Sequence, residues 1–131
     1  MVMAEKIWSH ICKWDYFSKD TISKQLIRAA DSVAANLSEG FGRYHFKEAK
    51  QFGYYSRGSL FESKTFLTKA YNRSLISKEE YDSIISDIKI IGIKLNNYIN
   101  SIGKSTNDSM VEEDDLPYNN VSNHLIDLED L

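Results

Sequence analysis

The sequence predicts an all-α fold, an antiparallel up-down four-helix bundle, on three observations. Helix interruptions are scarce, with six glycines in 131 residues and a single proline, Pro117. Apolar residues recur at helical spacing, most clearly Tyr81, Ile84, Ile88, Ile91, Leu95, Tyr98 and Ile102, at intervals of 3, 4, 3, 4, 3 and 4. No stretch alternates apolar and polar side chains as a half-buried strand would. Four amphipathic segments with short connections then pack as antiparallel neighbours.

The first segment runs from about Ala4 to Phe17 and sets Ile7, Ile11 and Trp14 on one face. The second begins near Thr21, the expected N-cap, and reaches about Gly40. Its core positions are Ile22, Leu26, Ala29, Val33, Leu37 and Gly40, flanked by Ala30, Ala34 and Phe41. Gly40-Phe41-Gly42 is expected to stop it, since glycine tolerates the left-handed conformation that ends many helices. The third runs from about Phe46 to Arg73, with Ala49, Gly53, Ser56, Leu60, Ser63, Leu67 and Ala70 inward. Those small residues let a neighbouring helix approach closely. The fourth starts at Ser77 or Lys78, and Glu79 and Glu80 in its first turn suit the positive end of the helix dipole.

The length fits one domain, residues 1–103, followed by a tail of different character, residues 104–131. The tail holds one lysine and eight acids, a net charge of −7, and its Ser, Asn, Asp and Pro content predicts disorder. The whole chain carries −3, yet residues 1–103 hold 15 bases against 11 acids, a balance of +4. A basic bundle therefore bears an acidic tail. The terminal Leu125-Ile-Asp-Leu-Glu-Asp-Leu131 segment has the pattern of a turn or two of amphipathic helix formed on contact with a partner. Two readings stay open for it: a solubilising extension, or a segment that docks on a basic surface and inhibits it.

The single cysteine, Cys12, excludes an internal disulfide and reads as a small buried hydrophobe. The longest uncharged apolar stretch, Ile90 to Ile93, falls far short of a membrane span, and the charged Met-Val-Met-Ala-Glu-Lys start is unlike a secretory signal. A cytoplasmic protein without a membrane association is expected. His10, His45 and His124 fall on different segments without metal-ligand spacing. Gly40-Phe41-Gly42-Arg43 has neither the preceding strand nor the Gly-Lys-Ser/Thr of a phosphate-binding loop. No catalytic constellation, metal or cofactor is expected.

Two polar constellations carry more information. Lys50, Tyr54, Arg57, Phe61 and Lys64 form one continuous stripe on the third helix, and Arg43 and Lys47 extend it at the helix start. Cations neutralise phosphates and aromatic faces stack bases, so the stripe suits RNA or DNA. The same residues also suit a subunit interface in which Tyr54 and Phe61 pack and the cations form a rim. On the second helix, Gln25, Arg28, Ser32, Asn36 and Glu39 line the flank of the core at spacings of 3, 4, 4 and 3. Such a row is expected to make buried hydrogen bonds between helices or subunits, with Arg57 and Glu62 as candidate partners.

Gln25-Leu-Ile-Arg-Ala-Ala-Asp-Ser-Val-Ala-Ala-Asn-Leu-Ser-Glu-Gly-Phe-Gly-Arg43, followed by Phe52 and Ser56-Arg-Gly-Ser-Leu-Phe-Glu62, resembles the four helix bundle protein family. That family is also called the 23S rRNA intervening-sequence protein family. The accessory variability determinant of diversity-generating retroelements is similar to it. The resemblance covers about residues 5–102. It implies a small bacterial bundle that assembles as a homopentamer, with nucleic-acid binding as the usual suggestion and, in the retroelement relative, a reverse transcriptase as partner. Arg28, Asn36, Glu39, Gly40, Arg43, Arg57, Gly58, Ser59 and Glu62 match the motif by position. The chain departs from it at Val33-Ala34-Ala35-Asn36, where members often have Ile-Pro before Ala-Asn, and in a first helix that is short. The leading expectation is a non-enzymatic oligomeric bundle that binds RNA or DNA through its basic surface. The alternative is a protein-interaction scaffold with no nucleic-acid role.

Overall fold

The computed structural model describes residues 2–15 and 19–103, and the expected disorder of the tail lies outside them. Within that span the chain forms four α-helices: α1 (Val2–Ile11), α2 (Lys24–Phe41), α3 (Phe46–Asn72) and α4 (Lys78–Ser101). No strand occurs among the described residues. The fold is all-α, as the periodicity predicts.

Each helix packs against two others, α1 against α2 and α4, and α3 against α2 and α4. Every contact pairs rising with falling residue numbers. Ser56 meets Val33, while Gly40 lies beside Ala49 and Phe52. Gly53 meets Ile99 and Thr68 meets Tyr81. Lys6 meets Asp87, and His10 lies near Glu80. All four helices therefore alternate in direction, the up-down arrangement that short connections favour. They share one core, in which Met3, Ile7, Leu26, Leu37, Phe46, Leu60, Leu67, Ile84, Leu95 and Ile99 are buried.

The ends of the elements differ from expectation in instructive ways. Helix α1 stops at Ile11, short of Phe17, but Trp14 still packs on the core. Successive turns close Cys12 N–H on Trp8, Lys13 N–H on His10 and Trp14 N–H on Ile11. Cys12 itself is exposed, not buried, because it sits on the outer side of this terminal turn. Thr21 is not an N-cap. A π-helical turn over Lys19–Ser23 runs straight into α2, and Ser23 has right-handed helical dihedrals and makes no capping bond.

At the other end of α2, Gly42 has φ −79° and ψ −4°, so no left-handed glycine ends the helix. The glycine requirement is steric and lies two residues earlier. A Cβ on Gly40 would stand 2.9 Å from Phe52 Cβ and 3.2 Å from the Ala49 carbonyl oxygen. Helix α4 starts as expected: Ser77 Oγ accepts from Glu80 N–H at 3.1 Å, and the Glu80 carboxylate accepts from Ser77 N–H at 3.1 Å.

Candidate nucleic-acid interface

Helix α3 spans 27 residues and presents the predicted stripe along its outer flank. Tyr54 and Phe61 are 45% and 60% exposed, two of several large apolar side chains on the surface, which also include Trp8, Tyr44, Tyr55, Ile90 and Ile93. The Arg57 guanidinium lies 4.9 Å from the Tyr54 ring centroid, and its Nη1 donates to Asn96 Oδ1 on α4 at 3.0 Å. The two contacts tilt Arg57 toward α4 and hold it half-buried. Lys50 and Lys64 flank this group one turn away on either side. Among the described residues Lys47, Lys50 and Lys64 form no ion pair, so their charge is available.

Helical geometry separates the charges of α3. With about 100° of rotation per residue, Lys50, Arg57 and Lys64 fall on one side of Tyr54. Glu48 and Glu62 fall on the other. Lys47 stands two turns before Tyr54 on the same face and extends the stripe. Arg43 does not. Its Nη2 donates to Glu39 Oε1 at 2.7 Å and its guanidinium covers the Phe52 ring at 4.9 Å. Phe52 lies about 160° around α3 from Tyr54, so Arg43 belongs to the opposite flank.

The polar row of α2 also turns out differently. Its bonds run back into its own helix: Ser32 Oγ donates to the Arg28 carbonyl at 2.7 Å, and Asn36 Nδ2 to the Ser32 carbonyl at 2.9 Å. Gln25, Arg28 and Glu39 are exposed, and Glu39 pairs with Arg43. Neither Arg57 nor Glu62 reaches the row within the chain. The buried polar tie between α2 and α3 is Ser56, whose Oγ donates to the Val33 carbonyl at 2.6 Å. Sequence reading placed Ser56 inward as a small residue and missed its hydrogen bond, since the equally buried Ser63 on the same face bonds within its own helix and spacing does not tell the two apart.

Within the Ser56–Glu62 motif, Ser56 is buried, Ser59 and Arg57 are half-buried, and Gly58 and Glu62 are exposed. Gly58 stands out. A Cβ there would meet nothing within 4 Å. Unlike Gly40, its lack of a side chain serves no contact inside the chain, and it sits between Tyr54 and Phe61 on the surface.

Beside the stripe lies an apolar groove between α3 and α4, floored by Ile85, Ile88 and Gly92 and walled by Phe61 and Ile93. Lys64 and Lys89 edge it. Ile93 is 63% exposed. The groove went unnoticed at the level of sequence because the main α4 seam is so regular. A second stripe through Ile85, Lys89, Gly92, Ile93 and Asn96 repeats beside it. Elsewhere, His10 Nδ1 lies 3.7 Å from Glu80 and His45 meets the Tyr44 ring edge-on. Among the described residues no three His, Cys, Asp or Glu side chains gather as metal ligands would. No helix of the described residues is long and apolar enough to cross a membrane.

Together these features define a class: a small helical bundle whose third helix displays, on one flank, exposed aromatic rings and cations without an ion pair among the described residues. The chain belongs to the 23S rRNA-intervening sequence protein family, whose model matches residues 1–97. No curated protein and no solved structure matches it. The family assignment agrees with the resemblance carried by residues 25–43 and 56–62, and the acidic tail lies beyond the matched span.

Proposed function

We propose that this protein is a non-catalytic, oligomeric, cytoplasmic bundle that binds RNA through the α3 flank. One observation carries the reading: among the described residues Lys50 and Lys64 stand without ion pairs on either side of Arg57 and the exposed Tyr54 and Phe61 rings. Ammonium and guanidinium groups attract phosphates, and exposed rings stack on unpaired bases, each stack being worth about 1–3 kcal/mol. The family's link to an rRNA intervening sequence makes RNA the favoured polymer. In a homo-oligomer the stripe would repeat, so weak single sites would add by avidity. The test is binding of fluorescent single-stranded RNA to the full chain and to the K50E/R57E/K64E variant. A loss of at least tenfold supports the flank as the contact surface, and equal binding contradicts it.

Gly58 favours a second reading, a protein-interaction scaffold. An exposed glycine costs about 1 kcal/mol in a helix interior, and a partner backbone approaching closely between Tyr54 and Phe61 accounts for it. On that reading Gly58→Ala lowers the oligomer size seen by light scattering while single-stranded RNA is not bound at all.

A further inference from the structure

We infer that residues 121–131 dock in cis into the α3–α4 groove and cover the Phe61–Lys64 end of the stripe. The groove is a ready receptor. Phe61 and Ile93, 60% and 63% exposed, wall an apolar floor, and no described part of the chain covers it. Its edge is cationic, with Lys64 from α3 and Lys89 from α4, and none of its lining residues is acidic.

The tail supplies the complementary pattern. Val121, Leu125 and Leu128 recur at intervals of 4 and 3, the anchor spacing of a helix laid in a groove. Asp127, Glu129 and Asp130 fall off that apolar line, where they can meet Lys64 and Lys89. The apolar anchors decide the site, since exposed ion pairs contribute only about 0.2–1 kcal/mol each. Two other troughs fit the tail less well, because the one beside Val2 and Ile90 has Asp87 in its lining and the one beside Tyr71 and Leu75 has Glu80.

Reach agrees with this placement. Gly103 lies beside Phe46, at the start of α3, where a Cβ built on it would stand 3.8 Å from the ring. From there the groove extends back along α4 from Ile93 to Ile85, about 15 to 27 Å at the helical rise per residue. Residues 104–120 separate Gly103 from Val121, and a coil of that length has a root-mean-square span of about 23 Å. A linker whose span matches the distance gives the highest effective concentration, in the millimolar range, so even a weak contact closes. Competition with RNA follows because Phe61 and Lys64 belong to both surfaces. That consequence rests on the proposed function, whereas the docking does not.

The test uses the full chain with Cys12→Ser and a nitroxide on Asn123→Cys, read through backbone amide signals. Docking in cis broadens the signals of Phe61, Ile88 and Ile93 selectively. The pair L125S/L128S, which leaves the charge unchanged, restores them. Broadening that is absent, spread evenly over the bundle, or seen equally when the nitroxide sits on a different, isotopically unlabelled copy overturns docking in cis. The same L125S/L128S variant then binds single-stranded RNA at least fivefold more tightly. Unchanged affinity alongside restored signals overturns the competition alone. Absence of RNA binding by either form overturns the RNA reading and leaves the docking standing.

Discussion

Three glycines of this chain show how a residue's meaning depends on what stands opposite it. Gly40 and Gly53 let helices approach, the first against Phe52 and Ala49, the second against Ile99. Gly58 faces open space. Gly40→Ala is therefore expected to destabilise the fold by about 1–3 kcal/mol, because backbone and a Cβ must shift to admit the methyl group. Unless a partner backbone packs on it, Gly58→Ala should raise stability by about 0.5–1 kcal/mol by restoring helix propensity. Thermal unfolding of the two variants checks the opposite signs. Asp31 makes a further residue-level case. Partial burial, and then the Glu5 carboxylate on α1, push its carboxyl up from the ordinary 3.8. A carboxylate whose folded pKa is raised loses stability as pH rises through the window above 3.8, and the penalty is complete above the raised value. Asp31→Asn should accordingly melt higher than the parent at pH 7, and the gap should close below pH 3.8.

Among the elements, α4 was the most legible and α2 the least. The 3–4 seam from Tyr81 to Ile102 and the Glu79–Glu80 first turn located α4 almost to the residue, because core spacing and capping chemistry are both local. Ser77→Ala removes half of the capping box and should cost about 1 kcal/mol, measurable as a lower denaturant midpoint with unchanged slope. The core face of α2 was equally clear, but its polar row was not. Spacing places Ser32 and Asn36 beside the seam without saying where they bond, and both choose carbonyls one turn back. The end of α2 falls at Gly40-Phe41-Gly42 as expected, but not through a left-handed glycine, and the contact that demands Gly40 lies on α3, which the spacing within α2 does not disclose. The α3 stripe was readable from its seven-residue repeat of cations. What the repeat could not disclose is that Arg57 leans on Asn96 and that Arg43 turns to Phe52.

Across the molecule, the fold converts an unpromising net charge of −3 into a sided object. Alternating helix directions bring α3 and α4 together so that one groove and one basic-aromatic flank share Phe61 and Lys64. The acidic tail leaves the bundle beside the start of α3 with enough chain to reach both. The central claim is that the α3 flank binds RNA through its phosphates. Its most direct test is the salt dependence of single-stranded RNA binding by the full chain and by K50E/R57E/K64E. Three phosphate contacts on a single strand predict a log–log slope of about −2 for the parent, and the variant should lose most of it. A parent slope near zero, or the same slope in both proteins, would contradict the account.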